Sequence, residues 1–213
     1  KGILMSILMI GVVAMAAGAG TLAYFSDTEN SSGNTFTAGT LNLQVGANDP
    51  TTEKINISDL KPGDSGNAAD WTVQNTGSIT GDLDISISSI TNNENSLTEP
   101  EQEAGDTTSD RGELGSYLKV SIWLDMDQSG DWTIGDISLN SDGSVTQAVD
   151  DGYGNPSPAA PSSDYLNNYG GKSWNDVVTM ASGDDFDFMV DYEFPPADND
   201  DTTQSDSAVF DIT

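Results

Sequence analysis

The chain has 213 residues, of which 35 are acidic and 6 basic, for a formal net charge of −29. No basic patch exists to neutralise phosphates, so this composition argues against nucleic acid as a partner and against an anionic membrane surface. There is no cysteine and no histidine, which excludes disulfides, thiolate metal sites and a histidine general base. One domain is the default for this length, with residues enough for a real core.

The first element is an apolar run, Ile3 to Ala19, preceded by Lys1 and followed by Thr21-Leu22-Ala23. Small residues where a signal peptidase cuts make residues 1–23 read as a secretory signal peptide. At about 17 residues the run also reaches the lower limit for a spanning helix, so a retained apolar helix is the second reading. Either way the rest lies outside the cytoplasm, and contact with a membrane is expected only through this segment.

From residue 41 onward, period-two alternation dominates. Leu41, Leu43 and Val45 alternate with polar residues, as do Ile55 and Ile57, Trp71 and Val73, and Leu83, Ile85 and Ile87. Leu118, Val120, Ile122 and Leu124 oppose Lys119, Ser121 and Trp123. Phe186, Phe188, Val190, Tyr192 and Phe194 oppose Asp187, Met189, Asp191 and Glu193, and Ala208, Phe210 and Ile212 come last. One face of each strand suits a core and the other water. Turn chemistry joins them at Lys61-Pro62-Gly63-Asp64, Asn75-Thr76-Gly77 and Ser141-Asp142-Gly143. Residues 92–112 form a polar, acidic insertion with Glu94, Glu99, Glu101, Glu103, Asp106 and Asp110, expected on the surface like the Pro-, Gly- and Ser-rich stretch 152–163. Asp164 to Tyr169 and Trp174 to Met180 each suit a short helix. The fold class is all-β: an antiparallel two-sheet, jelly-roll-like sandwich of about eight strands, with the apolar N-terminal helix as signal or anchor.

The sharpest motif is Leu124 to Asp136, LDMDQSGDWTIGD. Its spacing is that of an EF-hand calcium loop, with a strand where the entering helix would be. Asp125 takes position one, Asp127 three and Ser129 five; Gly130 permits the sharp turn at six. Asp131 offers a backbone carbonyl at seven, Thr133 sits at nine, and Asp136 stands at twelve where a bidentate Glu is usual. Read as a plain polar hairpin, the loop would crowd four carboxylates together. A cation relieves that repulsion, so Ca2+ is the expected cofactor, and magnesium fits less well. Weaker metal candidates are Asp184, Asp185 and Asp187 around the Phe186 strand, and Asp198 and Asp200 after Pro195-Pro196. Solvation of a surface in high salt is the other role for such acids. Trp123 and Trp132 flank the loop and read as packing.

Several blocks in order carry a resemblance. Thr21 to Asp27 (TLAYFSD) is followed by Phe36 to Leu43 (FTAGTLNL), then Leu60 to Asp64 (LKPGD) and Val73 to Ser78 (VQNTGS). The series resembles the TasA/camelysin family, exported with a SipW-type signal peptidase. Tyr117 to Asp136 and Ser205 to Ile212 look like its archaeal members, bundling-pilus and cannula proteins. The resemblance implies a secreted subunit of an extracellular filament or tubule, as in biofilm-matrix fibres, whose partners are copies of itself in a head-to-tail polymer. It also implies donor-strand complementation. Residues 24–40 would be the donor, with Phe25 and Phe36 as apolar plugs, and 41–213 the jelly-roll domain. An open edge near Phe186 to Phe194 or Ala208 to Ile212 would receive it. Camelysin lends the family a metallopeptidase label, but the chain has no HExxH and no catalytic residue marked by its surroundings. The expectation is therefore a non-enzymatic, calcium-stabilised filament subunit. The alternatives are a cell-surface calcium-binding adhesin or carbohydrate-binding module and, less favoured, a secreted hydrolase.

Overall fold

A computed structural model describes residues 2–3, 5–7, 9, 38–47, 55, 60–196 and 200–213. The chain forms two compact units, Lys1–Ala38 and Gly39–Thr213. In the first, the described residues between 2 and 9 are helical, and the Ser6 hydroxyl donates to the Gly2 carbonyl at 3.1 Å. No helix among the described residues is long and apolar enough to cross a membrane. The expected cleavage site near residue 23 and the plugs Phe25 and Phe36 lie outside the described residues, as does Asp198.

The second unit is the sandwich. Its main sheet is built on three long strands, β2 (Ser65–Asn75), β5 (Lys119–Asp125) and β12 (Asp185–Glu193), whose alternating apolar residues need cover on one face. The order is β1-β2-β12-β5-β6-β7, with β1 at Leu43–Val45, β6 at Ile137–Leu139 and β7 at Val145–Gln147. β10 (Asp164–Tyr165) also pairs β5, and every pairing is antiparallel. Facing it are β3 (Gly81–Ser86) with β11 (Ser173–Met180), and β4 (Thr91–Asn93) with β13 (Ser207–Val209). A bridge between Ile87 and Ile212 brings the last residues beside β3. A small ribbon, β8 (Val149–Asp150) with β9 (Pro156–Ser157), completes the strands.

Val73, Ile122, Leu124, Phe186, Phe188 and Val190 from the main sheet meet Leu83, Ile85, Ile87, Trp174 and Met180 from the other layer in one buried cluster. Each such side chain contributes about 1.5–3 kcal/mol by leaving water. The expected all-β sandwich is therefore observed.

Several local expectations are corrected. Trp174 to Met180 is strand β11, not a helix. Asp164 to Tyr169 opens with two strand residues, Asp164–Tyr165, and then makes the expected short helix over Leu166–Tyr169. Phe186 to Phe194 offers no open edge, because β12 is paired by β2 on one side and β5 on the other. Leu41 and Leu43 are exposed rather than core, at 62% and 44%. Trp123 and Met189, assigned to the water face, are buried. The acidic insertion contains a helix, Glu99–Ala104, and turns Glu101 and Asp106 inward.

The Asn75-Thr76-Gly77 turn fixes where the sandwich begins. Asn75 is buried, and its side chain bonds the Ile79 and Met180 carbonyls and the Gly77 N–H. The Thr40 carbonyl accepts from the Ser78 and Ile79 N–H groups at 2.7 and 3.2 Å. A Cβ on Gly77 would lie 2.4 Å from the Thr40 oxygen, so only glycine admits this approach. Thr40, the last residue of the expected donor segment, is thus tied to its own sandwich.

Candidate metal centre

β5 ends at Asp125, and the chain leaves the sheet there to return as β6 at Ile137. Left-handed backbone at Gln128 (φ 55°) and Gly130 (φ 77°) makes the turn; the glycine carries it without a side-chain penalty. The loop folds back over the outer face of the main sheet. Trp132 meets Trp123 edge-on, ring centroids 5.6 Å apart. The Trp132 indole N–H donates to the Pro158 carbonyl at 2.8 Å, and that of Trp123 to an Asp191 oxygen at 2.8 Å. This cover keeps Trp123 dry, and Met189 stands beside Trp123 as its cross-strand partner.

Asp125 and Asp136 are both 0% exposed, whereas Asp127 is exposed. Oxygens of all three carboxylates lie within 4.8 Å of one another. Asp125 Oδ2 accepts from the Gly130 N–H at 2.6 Å, while its Oδ1 is buried with no partner. Asp136 spans the loop ends, taking the Met126 N–H on Oδ1 at 2.9 Å and the Thr133 N–H on Oδ2 at 2.6 Å. The Thr133 hydroxyl reaches Asp127 Oδ2 at 3.1 Å and Asp136 Oδ2 at 3.2 Å. Burial pushes the Asp125 carboxyl above the usual carboxylate range, with Asp127 and Asp136 adding to the shift. The Ser129 hydroxyl holds Asp127 below that range.

The motif residues are thus brought together around Asp125, Asp127 and Asp136, with Thr133 between them and Ser129 on Asp127. Asp131, expected to offer its backbone carbonyl and not its carboxylate, turns that carbonyl to the Ser129 hydroxyl at 3.0 Å. An all-oxygen donor set of this kind suits a hard cation such as calcium. The orphaned Asp125 oxygen, buried among like charges, is what a bound ion would satisfy.

The weaker candidates divide. Asp187 pairs across the strands with Asp125, and the Gln128 amide donates to Asp185 and Asp187 at 3.1 and 3.5 Å, so both border the loop. Asp184 takes the Ala181 N–H at 2.8 Å, an ordinary turn contact. Asp200 opens a 3-10 turn, Asp200–Thr203, and its side chain lies outside the described residues. The sequence reading missed a second gathering of acids, Glu94, Glu113 and Asp206. Thr98-Glu99-Pro100-Glu101 was the available signal, since a Thr followed three residues later by Glu starts a helix and turns that Glu back.

Residues 1–210 match the family model described as camelysin metallo-endopeptidase. No curated protein and no solved structure matches the chain. The match spans nearly the whole chain and agrees with the ordered blocks read from its sequence, and the chain belongs to the camelysin family with its TasA-like members.

Proposed function

We propose that this chain is the subunit of an extracellular filament or tubule, assembled by donor-strand complementation and stiffened by calcium held at Asp125, Asp127 and Asp136. Family membership supports a cell-surface or extracellular structural protein. The observation that carries the metal half is the unpartnered Asp125 Oδ1 inside a fully buried side chain. Leu43 in the edge strand β1 and Leu41 just before it stay exposed, apolar surface of the kind that a neighbouring subunit covers. Bound ions also offset the mutual repulsion of subunits that each carry −29.

The test is electron microscopy of purified protein in calcium and in EGTA. Fibres in calcium that disappear in EGTA support the reading, and monomers at high concentration in calcium overturn it. Deleting residues 24–38 should leave a folded subunit that does not polymerise. A deletion that still forms fibres removes strand exchange from the proposal.

A metal-dependent peptidase is the second reading, favoured by the family's description and by the carboxylate trio. Zinc peptidases draw on histidine ligands, and the chain has none. Cleavage of casein by pure protein, abolished by chelator, would establish this reading in place of the first.

A further inference from the structure

Five acidic side chains from separate parts of the sequence converge away from the calcium loop. Glu94 follows β4, Glu101 lies in the helix Glu99–Ala104, Asp106 follows that helix, Glu113 precedes the turn Leu114–Tyr117, and Asp206 precedes β13. Oxygens of Glu94, Glu113 and Asp206 lie within 4.8 Å of one another. That is about the diameter of one coordination sphere whose metal–oxygen bonds run near 2.4 Å.

Behind this trio stand two carboxylates that are almost wholly buried, Glu101 at 0% and Asp106 at 9% exposure. Each uses one oxygen locally. Glu101 Oε2 takes the Thr98 N–H, and Asp106 Oδ1 takes the Thr108 N–H at 2.7 Å and hydroxyl at 2.8 Å. Their other oxygens have no partner, and neither do Glu94 Oε2, Glu113 Oε2 and Asp206 Oδ1. The charges of Glu101 and Asp106 are felt at Glu94, that of Glu101 at Asp206 and that of Asp106 at Glu113, so the buried pair faces the trio. Burial, then Asp206 and Glu101, push Glu94 up to about 7. Backbone crowds in as well: a Cβ on Gly112 would sit 2.7 Å from the Asp206 carboxylate.

We propose that Glu94, Glu113 and Asp206, backed by Glu101 and Asp106, form a second calcium site, which fastens the acidic insertion to the C-terminal strand. Five buried carboxylate oxygens there receive no N–H or hydroxyl and meet only one another, Glu94 against Asp206 and Asp106 against Glu113, and a hard divalent cation answers both the missing donors and the repulsion. The set contains no nitrogen or sulfur, which disfavours zinc. Its many protein oxygens disfavour magnesium, which keeps its own waters. The alternative occupant of such a cluster is a proton shared between carboxyl groups.

The test is calcium binding to the full chain at pH 7.5, stripped with EGTA and titrated with calcium alone. The wild type should bind one ion more per chain than Glu94→Gln/Asp206→Asn. Asp125→Asn/Asp127→Asn, which disables only the loop, should lose a different ion and keep this one. Hydrogen exchange gives the second measurement. Calcium should slow exchange of amides in 92–113 and 205–212 severalfold in the wild type and in the loop variant. If the loop variant takes up no calcium and those amides do not respond, the cluster holds a proton and the proposal falls. If only the Glu94→Gln/Asp206→Asn protein retains calcium, the loop reading stands and this one fails. Should that variant not fold, the loop variant alone decides.

Discussion

Asp125 holds one oxygen against the Gly130 N–H and leaves the other bare, inside a side chain that water does not reach. A buried charge so placed costs stability until an ion completes it. Asp125→Asn should therefore melt no lower than the wild type in EGTA, since it removes repulsion from Asp127 and Asp136. In calcium its thermal gain should shrink by roughly 5–10 °C, the shift expected when a site at about a hundredfold its dissociation constant is lost from a protein of this size. Differential scanning calorimetry in both conditions reads this directly. An undiminished gain would take Asp125 out of the metal's ligands. At this scale the sequence was a good guide to the loop and a poor one to the insertion. Spacing alone places Asp125, Asp127 and Asp136 around one turn. The Thr98-to-Glu101 spacing signals only that Glu101 turns back on its own helix start; that Glu94 and Glu113 meet Asp206, far along the chain, is a tertiary contact that no local spacing encodes.

Elements were legible where period two ran unbroken. Leu118, Val120, Ile122 and Leu124 are all buried as the alternation requires, and so are Leu83, Ile85 and Ile87. The reading failed at β11 for a definite reason. Its buried residues Trp174, Val177 and Met180 fall three apart, a helical spacing. The cause is a register shift between Trp174 and Val178 against β3, with Asp176 in left-handed backbone at φ 52°. A bulge adds a residue to one strand and so changes the period of its apolar face. Trp123 misled for another reason: Trp132, carried on the loop, packs edge-on against a side chain that alternation assigns to water. Turns also carry predictions. Gly77→Ala would press a methyl against the Thr40 carbonyl and the Asn42 N–H, at 2.4 and 2.6 Å before relaxation. The strand entry at 40–42 must then move, at about 1–3 kcal/mol. Urea unfolding should register that loss, and an unchanged midpoint would mean that this entry is not fastened to the turn.

For the molecule as a whole, 35 acids against 6 bases set a standing repulsion on the compact state. Screening reaches about 10 Å at 0.1 M salt and shortens as salt is added. In EGTA the melting temperature should climb as sodium chloride rises from low millimolar to molar. In calcium the climb should be smaller, because specific ions already neutralise the worst clusters. A flat response in EGTA would mean that the charge does not oppose folding, and that solvation accounts for most of the acids.

The bare carboxylate oxygens carry a consequence for timing. Under the proposed function, calcium is scarce inside cells and plentiful outside them, and a protein whose buried carboxylates need an ion to neutralise them would reach its full stability only where that ion is found. A chain without thiols to oxidise would thereby gain its own sign of having left the cytoplasm. Premature polymerisation would be held off by chemistry rather than by a chaperone, and the mature material would dissolve again wherever the ion is withdrawn.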